Sequence, residues 1–204
     1  MTWIKICGIT HMNDALKATS LGVDALGFIF APSPRRVEPD VAKKIILALP
    51  KTLLKVGVFV NEAPEEVLRV AKYCSLNALQ FHGEESPEYC KRFYHPIIKA
   101  IRIKSFESLK EMEKYPDCLI LLDTFSPTQA GGTGNPFPWE VALKAKEERE
   151  FILSGGLKPE NIEEAIKKVK PWGVDICSGV EAIPKKKDLL KMANFVKEVR
   201  KADE

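Results

Sequence analysis

"WIKICGITHMNDALKATS", Trp3 to Ser20, holds a strand, a turn and a helix in one short stretch. Trp3 to Cys7 is an apolar run of strand length, and Met12, Ala15, Leu16 and Thr19 then share one face at helical spacing. The turn between them decides the fold. An open, doubly wound sheet that binds a dinucleotide carries G-x-G-x-x-G after its first strand, so that the backbone can approach a pyrophosphate. Here the turn reads "CGITHMND", Cys7 to Asp14, with a single glycine. A closed barrel makes no such demand on its first turn.

The rest of the chain repeats the unit. "ALGFIF" precedes "DVAKKIILALP", in which Val41, Ala42, Ile45, Ile46 and Leu49 are in helical phase. "LKVGVFV" precedes a helix with Val67, Leu68, Ala71 and Cys74, and "NALQFH" precedes Ser86-Pro87, an N-cap followed by a first-turn proline. "PIIKAIRI" leads to a helix through Phe106, Leu109 and Met112, and "CLILLD" to a Gly/Pro-rich loop and a helix from about Pro138. "REFILSGG" leads to "KPENIEEAIKKV", and "WGVDICSG" to a closing helix with Leu189, Met192, Ala193 and Val196. These strand–helix units run without a break in composition. They predict a single-domain α/β fold over residues 1–204, a (β/α)8 TIM barrel somewhat below the usual size of ~250 residues.

Composition narrows the function. Lys and Arg number 31 against 28 Asp and Glu, and no basic block alternates with aromatics, so nucleic acid is not an expected partner. The one cationic run, Lys185 to Lys187, reads as a solvated face at a helix start. No apolar run approaches the ~20 residues that span a bilayer, and no membrane partner is expected. The five cysteines, Cys7, Cys74, Cys90, Cys118 and Cys177, lack metal-ligand spacing and fit reduced thiols in a cytoplasm. Exposed apolar side chains leave both a monomer and a homodimer open.

In a barrel the strand C-termini face one pocket. Those tips carry Cys7, Arg35 and Arg36, Asn61, His82, Arg102, Asp123, Gly155-Gly156 and Ser178-Gly179. "LSGGL" and "CSGVE" follow the seventh and eighth strands, where this fold frequently binds phosphate through backbone N–H groups and helix N-termini. Asp123 ends "LILLD"; burial there would raise its pKa and let it act as an acid, and a loop-anchoring role is the plain alternative. Cys7, taken alone, reads first as a buried thiol, and His82 equally as a cap or pocket wall or as a purely structural residue. Trp3, Trp139 and Trp172 read as packing residues. Alternation puts Lys5 on the same face as Cys7, inside the barrel, where Asp175 on the eighth strand is its natural partner.

"KICGIT", "ALGFIFAPSPRRV", "GVFVN", "QFHG", "LLDTFSP…GGTG", "LSGGL" and "VDICSGVE" occur in order along nearly the whole chain. Together they resemble the phosphoribosylanthranilate isomerases of tryptophan biosynthesis. The resemblance implies a TIM barrel that performs a cofactor-free, metal-free Amadori rearrangement of a phosphosugar, with Cys7 as general base and Asp123 as general acid. It further implies that Arg36 holds the anthranilate carboxylate, that His82 lines the substrate site, and that Gly155, Gly156, Ser178 and Gly179 surround the phosphate. Three positions depart from the pattern: Cys177 stands for Ser, Phe81 for Leu, and Asn135 for Lys. For Cys7 to work as a base it must be partly thiolate, which Lys5 or Arg36 could favour. Two other phosphosugar barrels are expected to differ. The isomerase of histidine biosynthesis would show Asp where this chain has Cys7, and indole-glycerol-phosphate synthase would need Lys and Glu at pocket tips. A phosphate-binding barrel without catalysis is the alternative from another class.

Overall fold

Eight parallel strands close into a ring in chain order: β1 (Trp3–Ile6), β2 (Ala25–Ile29), β3 (Leu54–Phe59), β4 (Ala78–Phe81), β5 (Ile97–Ile103), β6 (Leu119–Thr124), β7 (Phe151–Leu153) and β8 (Gly173–Ile176), the last pairing with β1. The structure is a computed structural model and describes residues 1–124 and 139–204. Among these residues the barrel is wrapped by α1 (Met12–Ser20), α2 (Pro39–Leu47), α3 (Pro64–Cys74), α4 (Pro87–Cys90), α5 (Trp139–Glu148), α6 (Ile162–Val169) and α7 (Leu189–Ala202). Proline opens α2, α3 and α4, where its missing N–H costs nothing. Ser86 caps α4 by accepting the Tyr89 N–H at 3.2 Å, and Asp188 caps α7 through the Leu190 and Lys191 N–H groups. The segment with Phe106, Leu109 and Met112 is a 3-10 helix, Phe106–Lys114, where the spacing predicts an ordinary helix.

The wall has two faces of different character. Outward side chains, including Ile4, Ile6, Phe28, Phe59, Phe81 and Phe151, pack on the helices in one large apolar layer that Phe195 of α7 joins from the helix side. The inward set is small: Ala25, Val56, Ala78, Ile98, Ala100, Leu121 and Ile152. Space is left for Lys5, which is fully buried and donates to Asp175 Oδ1 at 2.8 Å, its register partner on β8. The expected ion pair is therefore present. Trp3 stacks on Trp172 at 5.2 Å and closes the lower end; a Cβ on Gly173 would lie 3.0 Å from the Trp3 ring.

The loop after β8 corrects the reading of the cationic run. No helix follows "CSG" directly. A 3-10 turn, Ser178–Val180, leads into an antiparallel hairpin, β9 (Glu181–Ile183) and β10 (Lys186–Lys187), before α7 begins. Lys187 is buried, not solvated: its Nζ donates to the Cys177 carbonyl at 2.8 Å and to Glu181 Oε1 at 3.3 Å. Hairpin pairing of Lys187 with Glu181 supplies the carboxylate that makes this burial tolerable.

Candidate active site

The upper ends of β1 and β8 bring two sulfurs together. Lys5↔Asp175 and Ile6↔Ile176 are in register, the Cys7 N–H donates to the Ile176 carbonyl at 2.8 Å, and Cys7 and Cys177 are the next residues up. Alternation turns both side chains into the barrel, one step above the Lys5–Asp175 pair. Glycines make the room. A Cβ on Gly27 of β2 would come within 2.6 Å of Cys7 Sγ, and one on Gly8 within 2.9 Å of Cys177 Sγ. Gly8, at φ 74, thus clears space for Cys177 and the Arg35 stem, while Gly27 clears it for Cys7.

The two thiols perturb each other's ionisation. The neighbouring Cys177, then burial, pushes the Cys7 thiol well above its ordinary value, although the Lys5 charge acts the other way. The Cys7 thiol in turn holds Cys177 down to about 7, and the Lys187 and Arg35 charges assist. This corrects the expected electrostatics of the base. Lys5 does favour a Cys7 thiolate, but the neighbouring Cys177 and burial outweigh it, and the lowered pKa of the pair falls on Cys177. Burial works against the Lys5 ammonium, yet Asp175 and then Cys7 lift it above its usual range.

Asp123, at the end of β6, is 3 % exposed. Its Oδ1 accepts the Thr124 N–H at 2.8 Å, and Oδ2 lies 3.1 Å from His82 Nε2. His82 Nδ1 in turn meets Gln80 Nε2 at 3.1 Å. With the Gln80 amide donating, the ring proton sits on Nε2 and points at Asp123. Gln80 Oε1 is buried and has no hydrogen-bond partner among the described residues. Turning the amide over would give it the Nδ1 proton and leave Nε2 free to accept from a protonated Asp123. His82 is therefore in direct contact with the predicted acid. The signal was its spacing: Gln80 and His82 alternate onto the barrel interior, as Leu121 and Asp123 do.

The remaining tips divide into clamps and pocket residues. Asn61, at φ 50, is a clamp: its N–H donates to Glu85 and its Oδ1 accepts from the Glu84 N–H, tying two loops together. Arg102 pairs with Glu84. Arg35, adjacent to the residue singled out in the sequence, grips Glu181 with two hydrogen bonds of 2.8 and 2.9 Å. Burial opposes the Glu181 carboxylate, but Arg35 and Lys187 hold it below its ordinary range. Arg36 lies on the same loop, half exposed, with Nε 3.6 Å from Glu38. No described contact joins it to Cys7 or Asp123.

The seventh and eighth loops touch. Gly155 and Gly156 have φ of 80 and 65, and a Cβ on Gly155 would lie 2.3 Å from Thr124 Oγ1 and 3.0 Å from Asp123 Oδ1. A Cβ on Gly179 would lie 2.0 Å from the Leu157 carbonyl oxygen. Gly155 thus lies beside Asp123, and Gly179 packs on the seventh loop that carries Gly155 and Gly156. The sixth loop, with Gly131 to Asn135, is outside the described residues. Among the described residues no His, Cys, Asp and Glu cluster has metal-binding geometry, and no helix is long and apolar enough to cross a membrane.

Comparison with known proteins places this geometry. The family model for N-(5'-phosphoribosyl)anthranilate isomerase matches residues 4–198. The N-(5'-phosphoribosyl)anthranilate isomerase of Desulforudis audaxviator (strain MP104C) is 50% identical over 204 residues, 99% of this chain and 100% of that protein. The crystal structure of the Thermotoga maritima phosphoribosyl anthranilate isomerase superposes with a TM-score of 0.93 at 42% identity, covering 98% of this chain and 100% of the other. A second crystal structure of such an enzyme is a complex with reduced 1-(o-carboxyphenylamino)-1-deoxyribulose 5-phosphate. It superposes at 0.89 with 41% identity, covering 98% of this chain and 100% of that one.

Proposed function

The chain belongs to the N-(5'-phosphoribosyl)anthranilate isomerase family, and on that premise we propose that Cys7 and Asp123 are the two proton carriers of its reaction. The reaction converts N-(5'-phosphoribosyl)anthranilate into 1-(o-carboxyphenylamino)-1-deoxyribulose 5-phosphate, a step of tryptophan biosynthesis. Opening the furanose needs a proton on the ring oxygen as the C1′–O bond breaks, which leaves an iminium ion. Removal of the C2′ proton then gives an enolamine, which tautomerises to the ketone. One acid and one base on either side of a pinned sugar are sufficient.

The observation that carries the assignment is that Cys7 and Asp123 end strands three places apart around one closed barrel, both turned to its interior. Asp123 delivers the proton to the ring oxygen. The Gln80–His82 chain serves both of its states, donating to the carboxylate before the amide turns and accepting from the acid after it. Cys7 removes the C2′ proton once its own proton has passed to Cys177. The N–H groups of Gly155, Gly156, Ser178 and Gly179 receive the phosphate, a reading supported by the contact of the two glycine loops. Arg36, free of any buried partner, takes the anthranilate carboxylate at the rim. With its thiols reduced, the protein acts in the cytoplasm.

The test is turnover of phosphoribosylanthranilate generated in situ, followed by the loss of its anthranilate fluorescence. Turnover by purified protein without added metal or cofactor is the expected result. Folded protein that binds phosphate and turns nothing over would overturn the reading in favour of a binding barrel.

A further inference from the structure

Besides the base itself, the barrel mouth contains a second sulfur that the isomerisation does not chemically consume. We propose that Cys7 and Cys177 form a redox-active dithiol, which a two-electron oxidant of the peroxide class closes into an intramolecular disulfide. Three geometric observations carry this. The residues follow an in-register pair on adjacent parallel strands, so their Cα atoms are held at about the 4.8 Å interstrand spacing, inside the ~4.4–6.8 Å that a disulfide spans. Both side chains are turned into the barrel by strand alternation, and each thiol is the strongest perturber of the other's ionisation. Gly27 packs on the Cys7 sulfur and Gly8 on the Cys177 sulfur, so no side chain from either position crowds them.

Access and activation fall on the same residue. Of the five cysteines, Cys7, Cys74, Cys90 and Cys118 are buried and Cys177 alone is partly exposed. Cys177 also has a cation at its sulfur, Lys187 Nζ at 3.8 Å. Its thiolate attacks one oxygen of the peroxide, the O–O bond breaks, and hydroxide leaves to be protonated to water, giving a sulfenic acid on Cys177. The Cys7 sulfur then attacks the Cys177 sulfur, and the displaced hydroxide leaves as water with the Cys7 proton. Two thiols and one hydrogen peroxide become one disulfide and two waters. A dithiol reductant reverses the change and is itself oxidised to a disulfide.

That closing the bond also stops isomerisation rests on the assignment of Cys7 as base, so the experiment reads bond and activity separately. Purified protein is treated with hydrogen peroxide, the remaining thiols are alkylated, and the tryptic peptides are mapped by mass spectrometry. The expected result is a linked pair of peptides containing Cys7 and Cys177. Turnover should disappear in step with that link and return with dithiothreitol. In Cys177→Ser no link to Cys7 should form, and the activity that variant retains should be lost to peroxide more slowly than that of wild type. If the map shows Cys7 oxidised without a link to Cys177, or only a link between Cys90 and Cys118, the dithiol proposal is overturned. If the Cys7–Cys177 link forms and turnover persists, the dithiol stands and the assignment of Cys7 as base falls.

Discussion

A thiol is a weak base until something takes its proton, and the role proposed for Cys7 assigns that task to a second thiol, Cys177. The pair loses its first proton near pH 7, the value of Cys177, so kcat should rise as pH increases through neutrality. Cys177→Ala leaves Cys7 buried and without the thiol proposed to take its proton, and the rising limb of the pH–kcat profile should move to higher pH. An unmoved limb would show that Cys7 titrates alone. His82→Ala should lower kcat about 10-fold or more while changing KM less, because His82 acts by holding Asp123. A dominant rise in KM would instead make it a substrate ligand. Arg36→Ala should chiefly raise KM, and an unchanged KM would remove its carboxylate role. Cys7 and Asp123 were legible in the sequence because each ends an apolar run. The place of Cys177 beside Cys7 was within reach of the same reasoning, since the β1–β8 adjacency that paired Lys5 with Asp175 carries on two residues further to Cys7 and Cys177.

The working unit at the next scale is the loop that follows each strand. The seventh and eighth loops meet where Gly179 passes the Leu157 carbonyl, with no room for a side chain. Gly179→Ala must separate them, and it should weaken inorganic phosphate binding, measured as competitive inhibition, about 10-fold or more. Full phosphate affinity in that variant would exclude these loops as the cradle. The eighth loop is held from outside by Arg35, which grips its Glu181, and from within by Lys187 on the same carboxylate. Sequence reasoning placed phosphate on these loops from glycine and serine at two successive tips, and the loops do converge. It missed the hairpin between them and α7. A run of three lysines looks solvated by composition, and only antiparallel pairing reveals that Lys187 faces Glu181. Nor does helical phase distinguish an ordinary helix from the 3-10 segment at Phe106–Lys114, since i, i+3 spacing serves both.

For the whole molecule, the barrel's interior is unusual in being filled by an ion pair among small apolar residues. Lys5→Met leaves Asp175 buried without a counter-charge and should cost about 3–5 kcal/mol in urea unfolding; a loss below ~1 kcal/mol would mean that water reaches the pair. Because the Lys5 pKa is raised on folding, its contribution is complete below ~10.4, the unfolded value, and fades only as pH rises beyond it. The gap between wild type and Lys5→Met should therefore stay constant from about pH 6 to 9. The fold as a whole was readable because strand–helix units recur and the first turn lacks a dinucleotide signature. Closure places Cys7 and Asp123 over one pocket, and that is the claim on which the account depends. It is tested most directly by kcat for Cys7→Ser and Asp123→Asn, measured alongside their affinity for reduced 1-(o-carboxyphenylamino)-1-deoxyribulose 5-phosphate. The account predicts that each variant binds this analogue within about tenfold of wild type and loses at least ~10²-fold in kcat. Near-wild-type turnover in either variant would contradict it.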